Sequence, residues 1–298
     1  MSTAAAVEPL RAANLLAGST LYELRFVSLA GTSARSSVGA QFETEPLYRA
    51  GTEFNIVFVV AGGNPFAVRE PQLEAWLRRL DRAGVRLGGI SGGAAILYAA
   101  GLLTQRRFTV HWHHYDALLE RFPEALMERR IFVIDRDRWT CAGGVAPLDM
   151  MYALITADHG FAFAREVSDW LLHTQVRAPQ EPQRAGPAEK YGLHHPVLTA
   201  AVKLMEDHIA DPLDGDQLAG LCAVSPRHLH RLFRQHLGKP LGAFYIALRI
   251  AKAKELLDQT ALPIVEVALA TGFPNRSHFT RVFRTLVGET PAVFRKPQ

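Results

Sequence analysis

The stretch SPRHLHRLFRQHLG at residues 225–238 recurs fifty residues later as NRSHFTRVFRTLVG at residues 275–288. A repeat of this regularity indicates one structural unit that is used twice. In each copy the apolar residues follow the three- and four-residue spacing of a helix with one buried face. These residues are Leu229, Leu232, Phe233 and Leu237 in the first copy and Phe279, Val282, Phe283 and Val287 in the second.

The opposite face of each predicted helix is polar and basic. Its residues are Arg227, His230, Arg231 and Arg234 in the first copy and Ser277, Thr280, Arg281 and Arg284 in the second. A single charged stripe is usually only a solvated surface. Two matched stripes on matched helices instead favour binding to nucleic acid.

A shorter helix is predicted before each copy, at residues 216–223 and 264–271, and a tight turn follows it. Ser225 is placed to cap the first basic helix, and Pro226 lies in its first turn, where a missing N–H has no cost. The pattern is helix, turn, helix, and in such a unit the second helix enters the major groove of DNA. A helix predicted at 243–259 joins the units and spans about 25 Å. With the widths of the flanking units added, this length suits insertion of both units into successive major grooves, about 34 Å apart on one face of the DNA.

Charge is distributed unevenly along the chain. Residues 1–183 carry 18 basic and 19 acidic side chains, whereas residues 184–298 carry 15 and 10, together with seven of the twelve histidines. A basic second part beside a nearly neutral first part indicates a nucleic-acid-binding domain joined to a domain with another role.

Composition excludes several other classes of protein. A chain of 298 residues with 48% hydrophobic residues suits two folded domains rather than disorder. Cys141 and Cys222 alone form neither a disulfide framework nor a metal-ligand pattern. Glu8 and Arg11 interrupt the first apolar run, which argues against a signal peptide, and no stretch is long enough to span a bilayer. We therefore expect a cytoplasmic protein with no cofactor and no membrane partner.

The first part of the chain alternates predicted strands with predicted helices, which indicates an α/β doubly wound domain with a parallel sheet. Residues 55–60 form a near-continuous apolar run, typical of a strand that is covered on both faces. The other predicted strands are residues 21–29, 85–90, 108–110, 131–134 and 139–141, and the predicted helices are residues 5–17, 70–84, 91–103, 143–160 and 161–175.

Residues 177–196 contain four prolines and two glycines without an apolar period, which is typical of a linker. The pattern after this segment is wholly helical. The sequence therefore predicts an α/β domain at 1–176, a linker at 177–196 and an all-α domain with two helix-turn-helix units at 197–298.

The segment from about residue 195 to residue 298 resembles the DNA-binding domain of the AraC/XylS family of bacterial transcription regulators, most clearly over VALATGFPNRSHFTRVFRTLVGETPAVFR at 267–295. The resemblance implies binding to double-stranded promoter DNA, RNA polymerase as a partner, and activation as the commoner outcome. By position it assigns base reading to one set of residues, and phosphate or intradomain contacts to Arg234 and Arg284. The base-reading set is Arg227, His230 and Arg231 in the first unit and Arg276, Ser277, Thr280 and Arg281 in the second; the cap residue Ser225 is counted with this surface.

The first unit bears the more basic face. We therefore expect it to supply more of the salt-sensitive affinity, and the second unit more of the hydrogen-bond discrimination, at a non-palindromic site for each monomer.

LGGISGGA at residues 87–94 places Ser91 between glycines at a predicted strand-to-helix turn. This geometry presents a nucleophile above the carboxyl ends of a parallel sheet. TVHWHH at 109–114 is placed to bring His111 beside Ser91, and AGGNP at 61–65 is expected to form a tight turn nearby. The predicted ligand pocket consists of Gly63, Ser91, Gly92, His111 and Trp112. We expect no metal at His113 and His114, because adjacent side chains point apart.

Residues 1 to about 175 resemble the amidotransferase-like, flavodoxin-like domain of PfpI-type proteins, and more closely the GlxA-like regulators that fuse this domain to an AraC-type one. VEPLRAAN at 7–14, AGLL at 100–103 and HW at 111–112 carry the resemblance. By this resemblance Ser91 matches the elbow cysteine of the enzymes, and His111 matches their histidine. It implies a sensor domain that forms a homodimer and binds a small nitrogenous effector, such as an amino acid or a betaine-like amine.

The sequence leaves three functions open for this domain: a sensor, a PfpI-like hydrolase or amidase that uses Ser91, and a domain that only dimerises. Serine requires a positioned base and oxyanion donors, whereas cysteine is already partly thiolate, so serine at the elbow favours the sensor. The chain also begins inside its first helix, without the strand and the acidic residue that relatives carry before it. We therefore expect a regulator at the bacterial nucleoid rather than an enzyme.

Overall fold

In a computed structural model, which describes residues 1–29 and 31–295, the chain forms two compact units, Met1–Gln183 and Arg184–Gln298. The boundary between them falls within the predicted linker. The helices of the first unit are α1 (Ser2–Ala17), α2 (Pro71–Arg82), α3 (Gly93–Ala99), α4 (Trp112–Arg121), α5 (Ala146–His159) and α6 (Phe161–Trp170), with one 3-10 turn at Pro65–Ala67. Its strands are β1 (Val27–Ser28), β2 (Ser33–Arg35), β3 (Gln41–Glu43), β4 (Glu45–Pro46), β5 (Ile56–Ala61), β6 (Arg86–Ser91), β7 (Phe132–Asp135) and β8 (Arg138–Cys141).

The main sheet of the first unit has four strands in the order β5-β6-β8-β7. β5, β6 and β8 are parallel, so their carboxyl ends at Ala61, Ser91 and Cys141 meet at one edge. The predicted α/β class is confirmed, but the sheet is mixed. β7 runs antiparallel to β8 because only two residues separate these strands, and a connection that short makes a hairpin.

Two predicted strands are largely wrong. Within residues 21–29 only Val27–Ser28 is a strand, and it pairs with Glu45–Pro46 rather than with the main sheet. Asn14 explains part of this, because its Oδ1 accepts the N–H groups of Leu21 and Tyr22, both at 2.8 Å, in place of a sheet neighbour.

At residues 108–110, Phe108 forms only an isolated bridge with Met127. The next N–H, that of Thr109, donates to the side-chain oxygen of Thr140 at 2.9 Å rather than to a backbone carbonyl. A side-chain acceptor thus takes the place of the sheet ladder in this segment.

Helices are the only regular secondary structure among the described residues of the second unit, and they confirm the two predicted helix-turn-helix motifs. Its helices are α7 (Pro187–Tyr191), α8 (Pro196–Asp207), α9 (Gly215–Leu221), α10 (Pro226–Leu237), α11 (Leu241–Gln259), α12 (Ile264–Ala270), α13 (Arg276–Val287) and α14 (Pro291–Phe294). Phe233 and Phe283 occupy equivalent positions of the repeat, and both are fully buried. Burial of each such side chain stabilises the fold by about 1.5–3 kcal/mol. α7 lies inside the segment predicted as a linker.

The connector helix α11 is two residues longer at its start than predicted, and its side chains fix the neighbouring loops. The Tyr245 hydroxyl donates to the carbonyl oxygen of His208 at 2.6 Å, and Arg249 Nε donates to that of Thr271 at 2.8 Å. Gly272 (φ +72°) lies so near the loop before α9 that a Cβ atom would approach Pro212 Cγ to 2.5 Å. The turn of the second motif is therefore packed directly against the entry to the first, and this holds the two motifs in a fixed relation.

Candidate DNA-binding surface and effector site

The basic stripe of α10 is fully available on its outer face. Arg227, His230, Arg231 and Arg234 are exposed, while Leu229, Leu232 and Phe233 on the inner face are buried. None of these arginines forms an ion pair with a described acidic residue, and α10 itself contains no carboxylate. Arg231 Nη2 lies 3.0 Å from His228 Nδ1, which orients the guanidinium along the helix. The sequence therefore places four donor-rich side chains on one open helical face.

α13 repeats this arrangement with fewer charges. Arg276, Ser277, Arg281 and Arg284 are exposed and Thr280 is half-buried, while Phe279 and Phe283 are fully buried. The two exposed faces differ in composition: the α10 face carries three arginines and a histidine, and the α13 face mixes arginine with hydroxyl groups. The assignment of individual residues to bases or phosphates remains a prediction.

Both recognition helices begin at a side-chain cap. The Ser225 hydroxyl oxygen accepts the N–H of His228 at 3.2 Å, and Asn275 Oδ1 accepts that of His278 at 2.8 Å. The cap by Ser225 is as predicted, and its hydroxyl hydrogen stays available to donate to a phosphate. Sequence reasoning missed the cap by Asn275, although asparagine is a preferred residue at this position.

The elbow at Ser91 has the conformation that the sequence predicts. Ser91 ends β6 with φ 58°, a left-handed conformation that costs a non-glycine residue about 1–3 kcal/mol. The glycines beside it permit the close approach, because a Cβ atom at Gly93 would overlap the Val59 carbonyl oxygen, and one at Gly92 would lie 2.9 Å from Pro65. The turn at Gly62–Pro65 and the elbow are therefore adjacent, as predicted.

The backbone donors around the elbow are already engaged. The N–H of Gly92 donates to the carbonyl oxygen of Ala61 at 3.0 Å. Burial raises the pKa of the neighbouring Cys141 thiol to about 12, so this thiol is protonated near neutral pH. No described residue forms a hydrogen bond with the Ser91 hydroxyl, and no group of three described side chains is arranged to hold a metal ion.

His111 is the N-cap residue of helix α4, and its ring lies against the rings of Trp112, His113 and His114. Its Nδ1 accepts the N–H of His113 at 3.2 Å, so in the neutral ring the proton lies on Nε2. Burial, followed by His113, lowers the pKa of His111. His111 is therefore a neutral helix cap near neutral pH and is not poised to take a proton from Ser91.

The 3-10 turn at Pro65–Ala67 connects the elbow with the histidines. Pro65 lies against Gly92, and the ring of Phe66 packs edge-on against His114 at 6.1 Å between centroids. Burial, then His113 and His111, lowers the pKa of His114 to about 4. Of the five predicted pocket residues, Gly92 lies against Pro65 of this turn, and Ser91 precedes Gly92 on the elbow. His111 and Trp112 lie on the segment whose His114 packs against Phe66. Gly63 (φ +66°) is exposed and lies just before the turn.

A large cleft of the first unit lies elsewhere, along the edge of β5 that has no described strand beside it. It has a volume of about 1080 Å³ and is lined by residues of β5, of α1 and of the irregular segment 21–29. None of the five predicted pocket residues lines it. The apolar run of β5 predicted a strand that is covered on both faces, but none of its residues is fully buried and Val60 is exposed. β6 is its one described neighbour in the sheet.

One contact near the site gave no signal in the sequence. The N–H of Trp112 donates to Oε1 of Gln183, which lies 71 positions away at the end of the first unit. Only the folded structure brings the predicted linker to the start of α4.

The fold and the two surfaces define a DNA-binding transcriptional regulator in which an α/β unit precedes two helix-turn-helix motifs. Residues 3–157 match the DJ-1/PfpI family and residues 218–297 match the helix-turn-helix domain family. The chain belongs to the family of AraC-type regulators that carry an N-terminal DJ-1/PfpI domain.

Two curated relatives match this chain in sequence along nearly its whole length. The HTH-type transcriptional regulator GlxA of Rhizobium meliloti is 47% identical over 99% of this chain and 92% of its own length. The HTH-type transcriptional regulator CdhR of Pseudomonas aeruginosa is 39% identical over 98% of this chain and 87% of its own. A crystal structure of an AraC family transcriptional regulator from Pseudomonas putida covers 57% of this chain and 91% of its own, with 27% identity and a TM-score of 0.52. No described helix is long and apolar enough to cross a membrane.

Proposed function

We propose that the first unit is a non-catalytic sensor whose occupancy by a small nitrogenous metabolite sets how the second unit occupies promoter DNA. The observation that carries this proposal is an elbow that keeps its strained backbone without free catalytic partners. The donor after Ser91 is engaged by Ala61, and the Nδ1 lone pair of His111 is engaged by His113. The geometry of a site is retained, while acyl-transfer chemistry lacks both its oxyanion donor and its base.

Ring faces and neutral imidazoles support an amine or an amino acid as the effector class. Trp112 and the rings of His111, His113 and His114 form one aromatic group, and the low pKa values of His111 and His114 keep these two imidazoles uncharged near neutral pH. An uncharged aromatic surface attracts a cation through its π electrons and does not repel it by charge. We place the effector at Gly63, Ser91, Gly92, His111 and Trp112.

On DNA, Arg227, His230 and Arg231 would read bases in one major groove, and Arg276, Ser277, Thr280 and Arg281 in the next. Arg234 and Arg284, on the shoulder of each stripe, would contact phosphates. Arginine pairs with guanine edges through two donors, and hydroxyl groups reach other bases or phosphates. We expect the protein to act as a homodimer in the bacterial cytoplasm, and as an activator that works with RNA polymerase.

Two assays on the purified chain test the sensor. Amino acids and quaternary amines are screened by thermal shift, because a ligand that binds only the folded state raises Tm by mass action. A metabolite that raises Tm should also change the Kd for promoter DNA, and Trp112→Ala should remove both effects. A panel without any response in Tm or Kd would favour a domain that only dimerises.

The positive φ of Ser91 favours one competing function, a hydrolase that uses this serine, because nucleophile elbows are strained in the same way. Incubation with amide and ester substrates decides between the two. Turnover that is lost in Ser91→Ala would establish the hydrolase. Absence of turnover, with ligand-dependent DNA binding, supports the sensor.

A further inference from the structure

The side-chain amide of Gln183 holds together four groups of the first unit. Its Nε2 lies 3.0 Å from Thr109 Oγ1, 3.0 Å from the carbonyl oxygen of Val110 and 2.7 Å from that of Arg130. Its Oε1 accepts the N–H of Trp112 at 2.7 Å. A single half-buried side chain therefore fixes residues 109–112, the segment that leads into α4 and into the predicted effector site.

The bond to Trp112 is a helix cap supplied from a distance. Trp112 is the first residue of α4, so its N–H has no acceptor within the helix. His111 caps the N–H of His113, and Gln183 caps that of Trp112. The start of α4 is thus held by one residue of the site and by one residue of the interdomain segment.

The position of Gln183 in the chain gives this cap a second consequence. Gln183 ends the first unit, and Arg184 begins the second. Arg184 Nη1 donates to Glu255 Oε1 at 2.9 Å, and Glu255 lies on α11, the helix that connects the two recognition motifs. Two consecutive residues are therefore anchored, each within its own unit.

We propose that Gln183 is a positioning residue that couples the His111–Trp112 end of the effector site to the DNA-binding unit. The proposal rests on the sensor function above and names the route of its signal. An effector that shifts the start of α4 changes the energy of the bond between Trp112 and Gln183, and the covalent link from Gln183 to Arg184 carries this change to the residue that is bonded to α11. Coupling of this kind is reciprocal, so DNA binding must alter the start of α4 as much as an effector alters DNA binding.

This reciprocity allows a test that needs no identified effector. A DNA duplex is selected from a random pool with the full-length wild-type chain, and amide hydrogen exchange of residues 109–114 is measured with and without it. In the wild type we expect the duplex to change the exchange rate of the Trp112 N–H. In Gln183→Ala we expect this N–H to exchange roughly three- to tenfold faster in the free protein, as loss of one hydrogen bond predicts, and the duplex to have no effect on it.

Two further variants complete the test. Gln180→Ala removes an exposed amide three residues earlier and should behave as the wild type does. Gln183→Glu replaces the donor to the oxygens of Val110 and Arg130 by a carboxylate oxygen that these carbonyl groups repel, so the hold of residue 183 on residues 109–112 loosens and the duplex effect should weaken. If Gln183→Ala does not fold, Gln183→Glu decides by this duplex effect.

The coupling role is overturned if the duplex still changes the exchange of the Trp112 N–H in Gln183→Ala. Where that variant does not fold, the role is overturned if the duplex effect in Gln183→Glu equals that in the wild type. It is also overturned if the wild type binds the duplex without any change at Trp112. The sensor function fails by a different result, a metabolite screen without any response in the wild type. A wild type that responds to a metabolite, and whose response is intact in the Gln183 variants, would retain the sensor and exclude this route.

Discussion

The backbone N–H of Gly92 donates to the carbonyl oxygen of Ala61 at 3.0 Å. An N–H in this position, directly after the elbow residue, is the one that a nucleophile elbow offers to a developing oxyanion. Here it is committed to the neighbouring strand end, which ties the Gly-rich turn to the elbow.

Restoring a better nucleophile should therefore not restore catalysis. We expect Ser91→Cys to release no more than one equivalent of product from a p-nitrophenyl ester, because the thiol would lack both a base and an oxyanion donor. Release of p-nitrophenol is followed by its absorbance, with Ser91→Ala as the control. Sustained turnover in Ser91→Cys would show that the Gly92 donor is released when substrate binds.

Arginines assigned to bases and arginines assigned to phosphates should differ in how salt affects their variants. Arg231→Ala and Arg281→Ala are each expected to cost about 1–3 kcal/mol of binding free energy and to relax base preference at one position, as loss of a bidentate contact to guanine predicts. Arg234→Ala should weaken binding to all sequences and reduce the slope of log K against log[salt] by about 0.9.

Fluorescence anisotropy over a salt series measures both quantities, with Arg82→Ala as the control because this exposed arginine lies on α2 of the first unit. A larger loss of salt-sensitive affinity from variants of α13 than from those of α10 would reverse the roles assigned to the two motifs.

Gly272→Ala should destabilise the second unit. The residue would keep a left-handed conformation, and its methyl group would press on Pro212 and on the carbonyl oxygen of Ile209. We expect a loss of about 1–3 kcal/mol in the free energy of unfolding, measured by urea denaturation. Gly220→Ala is the matched control: it lies in helix α9 with open space around it and should stabilise by about 0.5–1 kcal/mol. Equal changes in the free energy of unfolding in the two variants would show that close packing against Pro212 does not destabilise Gly272→Ala.

His114 should make the first unit sensitive to acid. Its pKa is lowered to about 4, chiefly by burial, whereas an imidazole in an unfolded chain titrates near 6.5. Between about pH 6.5 and pH 4 the unfolded chain binds a proton that the folded chain does not, so the free energy of unfolding falls as the pH falls through this range.

His114→Phe keeps a ring against Phe66 and should flatten that dependence, measured by urea denaturation at several pH values. His159→Phe alters an exposed histidine of the same unit and serves as the control. A slope that is unchanged in His114→Phe would assign the acid sensitivity to other groups.

Local pattern was sufficient to predict the second unit. Each helix buries one face, so the spacing of Leu229, Phe233, Phe279 and Phe283 already indicates which side chains pack in the core. Cap residues such as Ser225 are sequence neighbours of the helices that they cap. The elbow was predictable for the same reason, because the glycines that allow Pro65 and Val59 to approach the turn closely are the sequence neighbours of Ser91.

The first unit was harder to predict because its strands depend on distant partners. Residues 21–29 have the composition of a strand, but the side chain of Asn14 satisfies the backbone at Leu21 and Tyr22. Phe108–Val110 likewise lacks a ladder because Thr140 takes the N–H of Thr109. Gln183 could not be assigned at all, since nothing near it in the sequence distinguishes it from an ordinary linker glutamine.

The packing of Gly272 against Pro212 also constrains the promoter. With the two motifs fixed relative to each other, a mismatch in spacing must be absorbed by bending or twisting of the DNA, which costs energy that depends on its sequence. One inserted base pair between the two half-sites would shift the second by about 3.4 Å along the axis and rotate it by about 35°. Promoters that this regulator controls should therefore tolerate base changes in either half-site better than a one-base-pair change in the distance between them.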